Sequence, residues 1–404
     1  MLQHIAKKEN IDAGLLKDNI DRGFTVILAN KNRKGLRPVA VGKDTTVKVN
    51  ANIGASPAEL NFKKELKKLQ VAVEAGADTV MDLTISNNAG DISEMRKAFI
   101  EKCDVPLGTV PIYQSAVEAG STHKMTIKNY LRGYEQQAKE GVDFTTVHAG
   151  VTRRALNMVK QRLISVVSRG GAFLLEWMSK NNKENFLYEC FDEILDIAGE
   201  YNVTMSLGDG LRPGCIADST DKAQKYELKV LGELALRARE KGVQVIIEGP
   251  GHVPLNEIQE NVELEKKVCR GAPFYVLGPL PIDTAVGYDH IACSIGGALA
   301  AYHGADFLCY VTPMEHIGLP GIKHIREGVV VTKIAASIAD VARGNKEQIH
   351  RSELMSKARK DFNWSKMAEY AIDPEKFRDI LKQTTQIQKG GCSMCGDEFC
   401  ALKD

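Results

Sequence analysis

Between about residue 46 and residue 315 one pattern of apolar and polar positions recurs. A helix ends at a glycine, a short link follows, and a β-rich run ends in polar or reactive residues. Glu74-Ala75-Gly76-Ala77-Asp78 leads into TVMDL, and Glu140-Gly141-Val142-Asp143 leads into FTTVHAG. Lys241-Gly242 leads into VQVIIEGPG, and Gly304-Ala305-Asp306 leads into FLCYVTP. Glycine after a helix accepts the left-handed backbone that closes it. The stretches 60–75, 128–140, 184–199 and 221–241 carry helical periodicity; in the last, Leu228, Leu231 and Leu234 fall on one stripe. Strand-like runs end near Asn52, Asp82, Tyr113, His148, Arg169, Asp209, Glu248, Tyr275 and Thr312. That gives nine candidates for eight places, one of which must be an edge or a loop.

Apolar runs alternating with amphipathic helices predict a parallel sheet with helices outside it. Eight such units over about 270 residues favour an α/β fold of the closed (β/α)8, TIM-like kind over an open doubly wound sheet. No GxGxxG follows a strand, which argues further against a dinucleotide fold. Residues 1–45 read as a small N-terminal region with a polar helix at 11–22, and 46–330 as the catalytic barrel. Residues 331–390 read as a helical extension and linker, with helices at 331–344, 351–372 and 373–383, and 391–404 as a metal-binding motif.

That motif is Gly391-Cys392-Ser393-Met394-Cys395-Gly396-Asp397-Glu398-Phe399-Cys400, a C-x2-C-x4-C array. Three thiolates this close share one soft metal centre. Structural zinc wants four ligands, and after Thr384 no further Cys or His follows. Three cysteines can hold a four-iron cluster with one iron open, the way radical enzymes hold S-adenosylmethionine (SAM). A zinc knuckle borrowing a remote histidine, or a frayed tail, are the alternatives. The other six cysteines, at 103, 190, 215, 269, 293 and 309, have no regular spacing and read as buried thiols in a reducing cytoplasm.

A formal net charge of +1 argues against a broad nucleic-acid face. No apolar run reaches membrane-spanning length, and MLQHIAKKENID is too polar for a signal peptide.

In a barrel the strand ends face one mouth, where active sites collect. Glu248-Gly249-Pro250-Gly251-His252-Val253-Pro254 is a rigid loop presenting a carboxylate and an imidazole, and Pro313-Met314-Glu315-His316 presents a second such pair. His252 and His316 together suit one divalent metal; alternatively each only packs or hydrogen-bonds. Val167-Ser168-Arg169-Gly170-Gly171 sets a hydroxyl, a guanidinium and two unhindered amides together, which suits a phosphate monoester. Gly208-Asp209-Gly210-Leu211-Arg212-Pro213-Gly214 adds a second arginine beside a carboxylate. Tyr113, His148 and Tyr275 either cap the core or touch a ligand, and Met81 fits a core position better than a contact.

The motifs VNANIG, SRGG, GDGLRPG, EGPGHVP, GYDH and the cysteine array, in this order, resemble the thiamine pyrimidine synthase (ThiC) family, a non-standard branch of the radical SAM enzymes. The similarity runs from about residue 46 to 401. It implies a (β/α)8 barrel and a homodimer in which the cluster segment reaches the partner's site. It also implies 5-aminoimidazole ribotide (AIR) as substrate, an external one-electron donor, and a radical SAM lyase reaction releasing 5′-deoxyadenosine and methionine. Substrate contacts would fall on Asn52, Met81, Tyr113, His148, Ser168, Arg169, Gly170, Asp209, Gly210, Leu211, Arg212, Glu248 and Tyr275. Glu248 and His148 would serve as hydrogen-bonding or proton-transfer groups. A divalent metal, taken as zinc, would fall on His252 and His316, and the 4Fe–4S cluster on Cys392, Cys395 and Cys400.

The chain departs from the family pattern at the mouth. Asp82-Leu83-Thr84-Ile85-Ser86-Asn87-Asn88-Ala89-Gly90 is three residues longer than the family's DLSTGG loop. Asp283-Thr284-Ala285-Val286-Gly287-Tyr288-Asp289-His290 lacks the proline of DIAPGYDH, Cys293 replaces a Thr or Ser, and the family's opening segment is missing. These departures, with phosphate loops and cluster motif kept, suggest the same substrate with a different outcome. The expectation is therefore the paralogous 5-hydroxybenzimidazole synthase reaction, which makes the lower-ligand precursor of cobamides and releases formate. The thiamine pyrimidine phosphate is the alternative product.

Overall fold

The computed structural model describes residues 1–383 together with Met394 and Leu402. The three cysteines of the C-terminal array lie outside the described residues. The chain divides into two compact units, Met1–Ala339 and Asp340–Asp404.

The first unit opens with two helices, Leu2–Glu9 and Ala13–Asp21, and an antiparallel pair, β1 (Thr25–Leu28) and β2 (Val39–Gly42). Eight parallel strands then close a barrel. They are β3 (Lys48–Ile53), β4 (Thr79–Asp82), β5 (Leu107–Thr109), β6 (Phe144–Val147), β7 (Thr204–Leu207), β8 (Val245–Gly249), β9 (Phe274–Leu277) and β10 (Phe307–Cys309). They pair in sequence order, and β10 pairs with β3 to shut the ring, Phe307 beside Lys48 and Cys309 beside Asn50. Every strand is buried on nearly every residue, as a sheet inside a helical ring must be. The interior is aromatic: Tyr275 stacks on Phe307 with ring centroids 4.3 Å apart, and Phe144 meets Phe307 edge-on at 6.3 Å. Gly108 makes room for this, because a Cβ there would lie 2.4 Å from the Phe144 ring.

The ninth strand-like run is the one that is not a strand. Residues 163–167 cross the surface, with Leu163 77% exposed, and the Leu163 and Ile164 amides donate to the Asp218 carboxylate instead of to a ladder. Ser168 then caps the helix Arg169–Asn181. Tyr113 does not end a strand either. β5 stops at Thr109, and Pro111 starts the helix Pro111–Glu118 that carries Tyr113 in its first turn. Tyr275 sits inside β9, second of four residues.

The β1–β2 pair lies at the N-terminal end of the barrel strands, opposite the mouth. Gln244, just before β8, takes the Ile27 amide at 2.6 Å, and Asp143, just before β6, takes the Asn30 and Leu107 amides at 3.0 and 2.9 Å. Burial pushes the Asp143 carboxyl up to about 6. All six cysteines of this unit are buried and free. The second unit contains the helices Lys346–Lys360, Trp364–Tyr370 and Pro374–Gln383, and Arg351 ties the first two by donating to the Tyr370 and Ala371 carbonyls at 2.9 Å. Among the described residues no helix is long and apolar enough to cross a membrane.

Candidate active site at the barrel mouth

A cavity of about 500 Å³ opens at the C-terminal ends of the strands. It is lined by Asn52, Met81, Tyr113, His148, Ser168, Asp209, Arg212, Glu248 and Tyr275, together with Leu83, Thr146, Leu277 and Cys309. A larger neighbouring cavity of about 980 Å³ shares Asn52, Leu83, Arg212 and Leu277 with it and adds Arg169, Ile85 and Glu315. Leu83 and Ile85 belong to the long loop after β4. That loop is tied to the end of β3 and the segment after it by Leu83 and Ile85 amides donating to the Ile53 and Ala55 carbonyls.

The two glycine loops are held against each other. The Ser168 side chain accepts from the Gly171 amide at 3.2 Å and capping places the start of a 13-residue helix at the cavity. A Cβ at Gly170 would lie 2.3 Å from the His148 ring, and one at Gly171 would lie 2.1 Å from the Gly210 carbonyl. Gly170, Gly210 and Leu211 line neither cavity; they set the close approach of the loops, with the Leu211 amide donating to Glu227 at 2.7 Å. Arg169 lies 5.1 Å from the Tyr113 ring centre, and Arg212 pairs with Asp209 at 2.9 Å while its Nε is buried without a protein partner. A helix N-terminus and two guanidinium groups form a ready anion site.

Facing these cations are acid and base groups with displaced proton affinities. Burial pushes the Asp209 carboxyl up to about 7 in spite of Arg212. Burial likewise raises Glu248, although Thr146 and Ser206 donate to its Oε1 at 2.8 and 2.7 Å. His148 is 3% exposed, touches Ser168 Oγ through Nε2 at 3.2 Å, and is lowered to about 3 by burial first and Arg212 second. It is therefore a neutral imidazole at every working pH. A histidine lowered in the folded state stabilises fully above its unfolded value near 6.5 and loses that contribution as pH falls toward 3. Acidification from pH 7 to 4.5 should therefore cost the native protein on the order of 2 kcal/mol at this one site. Calorimetry of native and His148→Gln proteins across that range checks it, because the variant lacks this increment.

On the far side of β3, Asn50 donates to the Tyr275 hydroxyl and to Asn52 Oδ1, both at 2.8 Å, and Asn52 Nδ2 lies 3.1 Å from Cys309 Sγ. Tyr275 thus has its hydroxyl held by Asn50 and its ring stacked on Phe307 while it lines the cavity.

His252 and His316 meet at the rim. Their Nε2 atoms are 3.3 Å apart, while His252 Nδ1 faces Asp283 at 2.7 Å and His316 Nδ1 faces Asp289 at 3.0 Å. With each Nδ1–H given to a carboxylate, both Nε2 lone pairs face one another, an arrangement that a shared cation relieves. Two nitrogens bound tetrahedrally at zinc distances stand about 3.3 Å apart. Among the described residues no group of three or more His, Cys, Asp or Glu side chains comes together as a metal site. Sequence reasoning missed Asp283 and Asp289, although both stand in the DTAVGYDH stretch it singled out. It also missed Thr146 and Ser206, whose signal is only their alternation along strands, and Cys309, which it took for core.

Fold and mouth together define a (β/α)8-barrel enzyme with its chemistry at the strand ends. A profile of the Radical SAM ThiC family matches residues 1–404, and the chain belongs to that family, whose enzymes use a 4Fe–4S cluster and SAM. A phosphomethylpyrimidine synthase of Caldanaerobacter subterraneus is 50% identical over 99% of this chain and 93% of its own length. The proteins of the same name from Thermotoga petrophila and Methanocaldococcus jannaschii are 49% and 50% identical over 100% and 98% of this chain and 95% and 94% of theirs. Among solved structures, a dihydropteroate synthase of Xanthomonas albilineans superposes with a TM-score of 0.46 at 11% identity, over 79% of this chain and 100% of that one.

Proposed function

We propose that this protein converts AIR into 4-amino-5-hydroxymethyl-2-methylpyrimidine phosphate, the pyrimidine precursor of thiamine. The observation that carries the reading is the near-50% identity, over almost the whole chain, to relatives named phosphomethylpyrimidine synthase. Those relatives favour the pyrimidine product over the benzimidazole expected from the departures at the mouth. What still speaks for the benzimidazole is that the long loop after β4 lines both cavities through Leu83.

In this reading Ser168, Arg169 and Arg212 hold the substrate phosphate, and Gly170 lets their loop approach closely enough for them to converge. Asn52, Tyr113, Met81 and Tyr275 enclose the imidazole and ribose. Glu248 and Asp209, carboxyls raised by burial, supply protons or hydrogen bonds to the ring and sugar, and neutral His148 orients Ser168. Gly210 and Leu211 hold the Arg212 loop in register. The cluster, when bound, supplies the one-electron reductive cleavage of SAM. Its donor set, three closely spaced thiolates, fits a four-iron cluster with an open iron. We place the domains as 1–45, 46–330, 331–390 and 391–404, and the working form as a cytoplasmic homodimer fed by an external electron donor.

The test is anaerobic turnover of reconstituted protein with AIR, SAM and a reductant, followed by mass spectrometry. A pyrimidine phosphate with one equivalent of 5′-deoxyadenosine supports the reading. A benzimidazole product, or no 5′-deoxyadenosine, overturns it.

His252 and His316 would hold a divalent ion, taken as zinc, oriented by Asp283 and Asp289. Asp289→Asn should weaken metal affinity about 10- to 100-fold, because the amide no longer fixes the His316 tautomer. Competition against a chromophoric chelator measures this without turnover; unchanged affinity removes Asp289 from the metal site.

A further inference from the structure

Behind the substrate pocket lies a further, small chamber with room for about one water molecule, and Asp209, Glu248 and Gly249 are common to the walls of both. Its rear wall is the helix Lys222–Glu240, which contributes Gln224, Glu227, Leu228 and Leu231, while Asn261 closes one side. Three carboxyl groups therefore surround one small internal space.

Glu227 is 2% exposed and on the helix face turned to the barrel. Its Oε2 takes the Leu211 amide at 2.7 Å, which holds the Arg212 loop, but its Oε1 is buried with no protein partner. Asp209 has the same imbalance. Its Oδ1 takes Arg212, and its buried Oδ2 has no protein partner. Two buried, unpartnered carboxyl oxygens beside a space large enough for water are the ends of a water bridge. Outward from the chamber the polar groups continue. Gln224 Nε2 donates to Asn261 Oδ1 at 2.6 Å, Asn261 donates to Thr220 Oγ1 at 2.9 Å, and Thr220 Oγ1 donates to half-buried Glu257 at 2.6 Å.

We propose that Glu227 is a proton-relay residue that recharges Asp209 from behind, through water in this chamber. The proton on Glu227 passes to the bridging water, which gives a proton to Asp209 Oδ2, and Glu227 regains one from water entering the chamber beside Gln224 and Asn261, whose amides orient that water and carry no proton themselves. One proton moves from bulk to the substrate face, and no electrons change hands. Burial first, with the Asp209 charge second, holds Glu227 well above the usual carboxylate range, against the pull of Arg162 and Arg212, which favours its protonated form. Glu248 is the remaining titratable group across the chamber. The inference rests on the substrate reading of the front pocket.

Glu227→Gln separates relay from scaffold. The amide copies the shape of the protonated acid and still accepts from Leu211, but it cannot pass a proton. In the full-length reconstituted enzyme, KM for AIR should stay within about twofold. Turnover should fall about 10- to 100-fold, the range of general acid–base assistance, with a larger solvent deuterium effect. A variant with native turnover and native solvent isotope effect overturns the relay and leaves Glu227 a scaffold. Infrared spectroscopy tests it without turnover. The native protein should show a protonated-carboxyl band at neutral pH that exchanges readily in D₂O and is missing in Glu227→Gln. Absence of that band, or failure to exchange, also overturns it. A native enzyme that forms no product from AIR while the band behaves as expected counts against the substrate reading alone.

Discussion

Cys395→Ala protein is expected to fold with a native barrel and to form no detectable 5′-deoxyadenosine. The thiolate at 395 is the middle member of the C-x2-C-x4-C array, and with two thiolates left the array cannot hold a four-iron cluster in one place. Without that centre SAM is not cleaved, so the effect is a loss of turnover and not a reduction. The barrel should be indifferent to the change. It belongs to the unit Met1–Ala339, whose core is its own, whereas position 395 belongs to the unit beginning at Asp340. Circular dichroism should give an unchanged thermal midpoint. Iron analysis and electron paramagnetic resonance should show the cluster lost. Retained turnover would remove these cysteines from the chemistry and return the histidine pair to first place.

The second large effect is expected at Arg212. Replacing it by methionine keeps the aliphatic bulk and removes the guanidinium. The substrate phosphate loses a charge-assisted partner, and Asp209 loses the cation 2.9 Å away. Removing a charge-assisted partner of a desolvated anion costs about 2–5 kcal/mol of binding, so kcat/KM should fall roughly 10²- to 10³-fold. A pH signature should accompany it. A carboxyl raised in the folded state contributes stability that is complete below its unfolded value and lost as pH rises through the folded one. In the native protein that loss is complete near pH 7, the folded value of Asp209. Without Arg212 the folded value climbs further, and the variant should go on losing stability between pH 7 and 9. Thermal unfolding of the two proteins at pH 6 and pH 8.5 measures the difference; parallel curves would mean that Arg212 does not neutralise Asp209.

The barrel was legible because its strands are short, rich in apolar and β-branched residues, and separated by glycine-closed helices. The surplus strand at 163–169 was not excluded by pattern, because Leu163, Ile164 and Val167 are apolar yet exposed, and hydropathy does not say which side of a segment meets water. The place of Tyr113 was legible in principle, since Pro111 marks a helix start. Residues at strand ends were found because the fold directs them to one mouth. Asp283 and Asp289 were not, because each meets a histidine 31 or 27 residues away, and nothing local announces that pairing. Nothing in the sequence sets Glu227 apart from the other charges of its amphipathic helix; only the packed structure turns it toward the barrel.

The ring shuts where its first strand meets its last, and that seam passes through the pocket. Tyr310, just past β10, donates its hydroxyl to the Asn52 carbonyl at 2.7 Å, and Asn52 reaches across to Cys309. A ribosome must therefore deliver more than three hundred residues before the cavity exists at all. A ligand gripping Asn52 then acts as a clasp on the join. Amide hydrogens along β3 and β10 should become slower to exchange on AIR binding than those of β6 and β7 on the opposite wall.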